Sequence, residues 1–164
     1  MSKVDHNQFK AVMGRWASGV TVITVKSGDI IHGMTASAFS SLSLEPPLVL
    51  VCVGQKQGSH KLMKDSGRFV VNLLAEDQHT LSDYFAKPRP EGKAQFEAVP
   101  HSFNEHGEPY LTGVLATMDC KVHAITEGGD HDIFIGHLTR IDVNERVESP
   151  LIYYKGKYRK LAAV

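Results

Sequence analysis

The sequence predicts an all-β domain, an antiparallel barrel with peripheral helices. Val20-Thr21-Val22-Ile23-Thr24-Val25 is β-branched throughout, which suits a pleated, half-buried surface. Further extended runs stand at 48–53, 68–74, 115–125 and 133–143, and Pro150-Leu151-Ile152-Tyr153-Tyr154 supplies a short last one. These roughly six or seven strands do not alternate with helices as βαβ units require, which argues against a parallel sheet.

The elements follow in order. Residues 5–18 read as a helix, because Phe9, Val12, Met13 and Trp16 recur at i, i+3, i+4 and i+7 on one apolar face. Asp5 is placed to cap it, Gln8 stands where a capping box needs its partner, and Gly19 is a stop. Ser27-Gly28-Asp29 is a turn before Ile30-Ile31, so the β-branched run opens a hairpin. The second strand runs into a Thr/Ser loop that Glu45-Pro46-Pro47 ends ahead of strand 48–53. After a polar loop at 54–58, Ser59 caps a short helix through Met63, and Gly67 closes it. Strand 68–74 precedes a helix over 77–85, with Leu81, Tyr84 and Phe85 as its apolar positions. Residues 87–100, with three prolines and a glycine, read as a surface loop. The two long strands at 115–125 and 133–143 are joined by Glu127-Gly128-Gly129-Asp130. With no internal repeat, linker or low-complexity stretch, residues 1–164 read as a single domain.

Composition removes several function classes. A chain of 164 residues with 42% hydrophobic content can build its own core. Lys+Arg and Asp+Glu both number 18, so the basic footprint of a nucleic-acid binder is missing. The longest apolar run, at 48–53, is too short to cross a bilayer. The start, Met-Ser-Lys-Val-Asp-His, has no apolar h-region, so no secretory signal is expected. Cys52 and Cys120 form no C-x-x-C pair and read as reduced core thiols, consistent with a cytoplasmic protein.

The candidate chemistry lies in a few short segments. G-x-G-x-x-G, the Walker loop, H-E-x-x-H and G-x-S-x-G are all missing, so any nicotinamide must bind without the usual dinucleotide fold. In Thr35-Ala36-Ser37-Ala38-Phe39-Ser40-Ser41, small residues allow a flat ring to approach the backbone, and hydroxyls can bond carbonyl, ribityl or phosphate oxygens. An ordinary polar loop has the same composition. Ser59 and His60 open a helix, whose N-terminus suits an anion or needs only a cap. Phe85, Lys87 and Arg89 place an aromatic edge and two cations in one stretch, suited to a phosphate or simply to solvent. Gly129-Asp130-His131 puts a titratable ring at the entrance of an apolar strand, where a surface histidine is equally at home. His123, His131 and His137 have no carboxylate or thiol at ligand spacing, so no metal site is expected.

Residues 33–51, from the Gly33-Met34-Thr35-Ala36-Ser37 run to the Pro46-Pro47-Leu48 strand start, together with Gly129-Asp130-His131, resemble the short-chain flavin reductases. These are the NAD(P)H-dependent partners of two-component flavin-dependent monooxygenases, and the resemblance extends from the first helix to Leu161. It implies a split β-barrel of Greek-key character, a homodimer, and flavin bound near the subunit interface. It implies that Met34, Thr35, Ala36, Ser37, Ser40 and Ser41 hold the flavin ring and phosphate, and that Ser59 and His60 border it. By the same resemblance Phe85, Lys87 and Arg89 lie near the phosphate, Asp130 and His131 form the family's motif, and Tyr154 lies beside the nicotinamide entrance. His131 then positions the nicotinamide. The implied activity is hydride transfer from NADH (or NADPH) to FMN or FAD, with reduced flavin leaving for a partner monooxygenase. Three other readings stay open: a flavin-holding reductase of a ferric chelate or cobalt corrinoid, a flavin-binding protein without turnover, and a haem or pyridoxal-phosphate barrel.

Overall fold

The computed structural model describes residues 4–88, 93–147 and 149–162. The chain opens with α1 (His6–Met13), whose start is fixed by the expected capping box. Asp5 accepts from the Asn7 and Gln8 backbone N–H groups, and the Gln8 side chain accepts from that of Asp5. The helix is shorter than its apolar periodicity predicts. It ends at Gly14, and β1 (Ser18–Gly19) has begun before Gly19 could serve as a stop.

β2 (Thr21–Ser27) and β3 (Ile30–Ala36) form the expected hairpin. Gly28 supplies the positive φ of 58° that the turn requires. The Thr/Ser segment is not a loop. It breaks at Ser37-Ala38 and resumes as β4 (Phe39–Ser43), which pairs with β5 (Leu48–Gly54). Then come α2 (Gly58–Ser66), β6 (Arg68–Leu73), α3 (His79–Ala86) and α4 (Lys93–Phe96). α4 and the buried Gln95, Phe96 and Val99 lie in the stretch read as a surface loop. β7 (His101–Phe103) and β8 (Pro109–Leu111) make a small hairpin. The long hairpin β9 (Ala116–Gly128) and β10 (His131–Val143) follows, and β11 (Ile152–Tyr154) and β12 (Lys157–Arg159) end the chain, pairing with β1 as a three-stranded sheet.

The main sheet has seven strands in the order β3-β2-β6-β9-β10-β5-β4, every pair antiparallel. Three neighbour pairs are hairpins, whereas the step from β5 to β6 passes over β10 and β9, in Greek-key manner. Met34 and Ala36 near one end share a core with Val49, Val51 and Val53 near the other, around Phe69 and Phe134. The sheet therefore curls upon itself, although no ladder joins β3 to β4 among the described residues.

A second core sits on the outer side of β2, where Val22 packs with Leu74, Phe85, Phe96 and Leu151. β2 is thus buried on both faces, which is why its sequence is continuously β-branched rather than alternating. Where β10 crosses the first core, a Cβ on Gly136 would lie 2.6 Å from the Phe69 ring, so only glycine fits. Among the described residues no helix is long and apolar enough to cross a membrane.

Candidate active site

Three hollows follow one another along β3 and the break after it. The inner cleft, about 290 Å³, lies between β3, the start of α2 and the end of α3, with Thr35, Lys56, Ser59, Phe85 and Lys87 in its wall. Thr35 and Ala86 also line a middle hollow of about 350 Å³. Ser37, Tyr153 and Gly156 then pass from that hollow into an outer groove of about 720 Å³, lined by Phe9, Trp16, Phe39 and Tyr154. These adjoining hollows form a channel-like series, cationic and hydroxyl-bearing at its inner end and aromatic at its outer end.

The inner end is set by close packing. A Cβ on Gly33 would lie 2.6 Å from the Phe85 ring and 3.3 Å from that of Phe96. The Gln95 amide accepts from the Gly33 N–H (2.8 Å) and donates to the Gly33 carbonyl (3.0 Å). Thr35 Oγ1 donates to the Ser82 carbonyl at 2.7 Å, tying β3 to α3. Ser59 is not the helix cap. Gln57 holds that position and makes no side-chain capping bond. Ser59 lies one step inside α2, buried, with no hydrogen-bond partner for its Oγ among the described residues. A stranded hydroxyl at a helix start without a side-chain cap needs an acceptor, and an anionic oxygen with Lys56 and Lys87 nearby meets that need.

The predicted residues divide. Met34 is buried in the first core and lines the cleft with Thr35, Ser59, Phe85 and Lys87. Ser37, Ser40 and Tyr154 line the outer groove, where Ser40 Oγ donates to the Ser41 carbonyl and Lys155 stands 5.4 Å over the Tyr154 ring. Ala36 is buried with its carbonyl accepting from Thr21 Oγ1, and Ser41 is exposed on β4; neither lines the channel. Arg89 lies outside the described residues.

His131 is half-exposed, its Nδ1 hydrogen-bonded at 2.7 Å to Asp130, and that bond holds the Asp130 carboxyl below its ordinary range. It pairs with Gly54, two residues beyond the groove-lining Cys52, so it occupies the next step of the same sheet face. Among the described residues no group of three or more His, Cys, Asp or Glu gathers as a metal site.

His60 does not face the cleft as a free ligand. Its Nε2 lies 2.7 Å from Asp132 Oδ2, while Gln55 Nε2 donates to Asp132 Oδ1 at 2.9 Å. The bonds from Gln55 and His60 hold the Asp132 carboxyl below its ordinary range. Sequence reasoning missed Asp132. Its signal is an acidic residue in the inward register of an apolar strand, alternating with Phe134 and Gly136, since a buried carboxylate requires donors. Gln57, Lys56 and Gln95 were missed as well, because nothing local distinguishes them.

Residues 13–162 match the family described as flavin reductase like domain. The chain is 37% identical over 158 residues to the reductase component of 4-nitrophenol 4-monooxygenase/4-nitrocatechol 2-monooxygenase from Rhodococcus opacus, covering 96% of this chain and 82% of that one. Among solved structures it superposes on the NADH:FAD oxidoreductase SgcE6 of Streptomyces globisporus with a TM-score of 0.91, at 35% identity and 99% coverage of both chains. It superposes equally well, at a TM-score of 0.90 and 34% identity, on BorF, the flavin reductase component of a bacterial two-component tryptophan halogenase, covering 98% of this chain and 100% of that one.

Proposed function

The chain belongs to the flavin reductase like family, and we propose that it is an NADH-dependent flavin reductase serving a partner monooxygenase. The observation that carries this reading is the series of adjoining hollows, with lysines and a stranded hydroxyl at the inner end and aromatic side chains at the outer end. A flavin has the matching shape: a phosphate at one end of a ribityl chain and a flat ring at the other. The stranded Ser59 hydroxyl, Lys56 and Lys87 would take the phosphate. Ser37 and Ser40 would flank the ring, with Ala38 small enough to let it lie against the backbone. When bound, the flavin supplies the redox chemistry by accepting hydride from the nicotinamide. The residues would bind and orient the flavin and the nicotinamide, so that the reaction gains from proximity. His131 would position the nicotinamide, and His131→Ala should raise the KM for NADH several-fold more than that for flavin. Relatives named NADH-dependent FAD reductase and reductase components of monooxygenases support the donor and the destination.

Residues 1–164 act as one domain in this reading, supported by a match spanning 13–162. The active form is a homodimer. α1 buries none of its residues, and Phe9, Val12, Met13 and Trp16 are 49–74% exposed beside the outer groove. Apolar side chains so grouped mark an interaction surface. The unpaired thiols Cys52 and Cys120 support a reducing, cytoplasmic setting.

The deciding experiment follows loss of NADH absorbance with FMN, FAD or no flavin added. Turnover that requires added flavin is expected. Turnover by yellow protein without added flavin points instead to a reductase that keeps its flavin and serves another acceptor. Flavin binding without NADH oxidation sinks the enzyme reading.

A further inference from the structure

We infer that Asp132 is a positioning residue that locks the flavin-phosphate segment to the nicotinamide turn, and so couples the binding of the two ligands. The inference rests on the flavin reductase reading above, which assigns residues 56–59 to the phosphate and His131 to the nicotinamide. Asp132 itself touches neither.

Its carboxylate lies at the start of β10, with only 11% of its side chain exposed, and both oxygens are occupied. Oδ1 accepts from Gln55 in the β5–α2 loop, and Oδ2 is bonded to His60 in the first turn of α2. Because the carboxyl is ionised and can only accept, His60 Nε2 carries the hydrogen. The His60 ring is further fixed edge-on to Phe134, centroids 5.4 Å apart at 84°.

Gln55 is held a second time. Its backbone N–H donates to the Asp130 carbonyl at 3.1 Å. Residue 55 is therefore bonded on both sides of His131, to the main chain of the residue before it and to the side chain of the residue after it. Residues 56–59, which wall the inner cleft, continue directly from this anchor. A shift of that wall when a phosphate binds must move Gln55 or His60, and either pulls on Asp132 and the turn carrying His131. Coupling of this kind is reciprocal, so each ligand tightens the other by the same factor.

The test is equilibrium binding of FMN, read by quenching of its fluorescence, with and without saturating NAD⁺. This pair of oxidised ligands cannot turn over. For the wild type, NAD⁺ should tighten FMN by about fivefold to twentyfold, within the usual range for coupled sites. Asp132→Ala should bring that factor close to one, and in turnover should raise the KM for flavin and the KM for NADH together, with a smaller change in kcat. Asp132→Asn, which still accepts from Gln55 and can donate to an unprotonated His60 nitrogen, should restore most of the factor. Should Asp132→Ala fold poorly, Gln55→Ala removes one arm of the bracket from an exposed loop residue and should weaken coupling without lowering Tm.

An unaltered factor in Gln55→Ala and Asp132→Ala overturns the inference, as does a rise in only one of the two KM values. A wild type that binds both ligands independently overturns it while leaving the reductase reading intact. A wild type that binds neither ligand overturns the reductase reading itself.

Discussion

At its inner end the channel is walled by groups already committed to one another: Gly33 against Phe85, Gln95 on Gly33, Thr35 on Ser82. At its outer end Phe39 packs against the first core, but Trp16 and Phe9 stand 74% and 59% exposed. The inner end is walled by the chain's own packed elements, whereas the outer end leaves apolar side chains uncovered, the surface of the proposed homodimer contact. In the proposed reading, selectivity for an anionic tail is built into the chain itself, and the setting of the ring depends on what covers the outer end.

The largest expected effect tests the unfinished end. If the proposed homodimer forms through this face, Trp16→Glu should split it, halving the mass seen by light scattering and weakening association by about 30-fold to 1000-fold, as loss of a central aromatic anchor does. Its thermal unfolding at fixed low concentration should change little, because the residue contributes nothing to the chain's own core. A monomeric wild type would remove the contrast between the two ends altogether.

Next comes the finished end. Gly33→Val would force the Phe85 and Phe96 rings aside, and overpacking of this kind costs about 1–3 kcal/mol. A domain of this size should then lose roughly 2–12 °C in Tm. Flavin affinity should fall with it, because Phe85 walls the cleft.

Ser59→Ala separates binding from stability. The stranded hydroxyl makes no bond among the described residues, so its removal should leave Tm unchanged or slightly raised. Flavin binding should weaken about tenfold, the scale of a hydrogen bond to a charged oxygen. Equal losses in Tm and affinity would show that the hydroxyl serves the fold.

The smallest effect concerns acid. The Asp132 carboxyl is held below its ordinary value by the bonds from Gln55 and His60. Its contribution is therefore fully present above the unfolded carboxyl value of about 4 and lost as pH falls through the lower folded value. Below about pH 4, urea titrations should show wild-type stability falling more steeply than that of Asp132→Asn. Parallel curves would deny the carboxylate a stabilising role.

What was legible in the sequence was what local chemistry fixes. Asp5 and Gln8 announced the start of α1, and the β-branched run of β2 announced a strand opening a hairpin, though not that it would be buried on both faces. The end of α1 was not legible, because Trp16 continues the apolar period of the helix while the chain has already turned. β4 was not legible either. Serines on an exposed edge carry no apolar alternation, and the segment is extended because β5 pairs with it. α4 hid among prolines, since what makes Phe96 a core residue is the bare backbone of Gly33 far away in sequence. In the site, the hydroxyl run and the Gly129-Asp130-His131 turn stood out only by their resemblance to the family's motifs, since their composition alone suits an ordinary loop or a surface histidine. The Asp132–His60 bond joins residues 72 apart, and no pattern in either neighbourhood points to the other.

β3 ends the main sheet, and an exposed strand edge can template the strand of another molecule. At Gly33 the Gln95 amide occupies both the N–H and the carbonyl that such an intruder would use. A single side chain there takes the place of a neighbouring strand. Together with α3, which Thr35 ties to this edge, Gln95 leaves little for an intruder to pair with, and Gln95→Ala should aggregate faster on storage, read by light scattering.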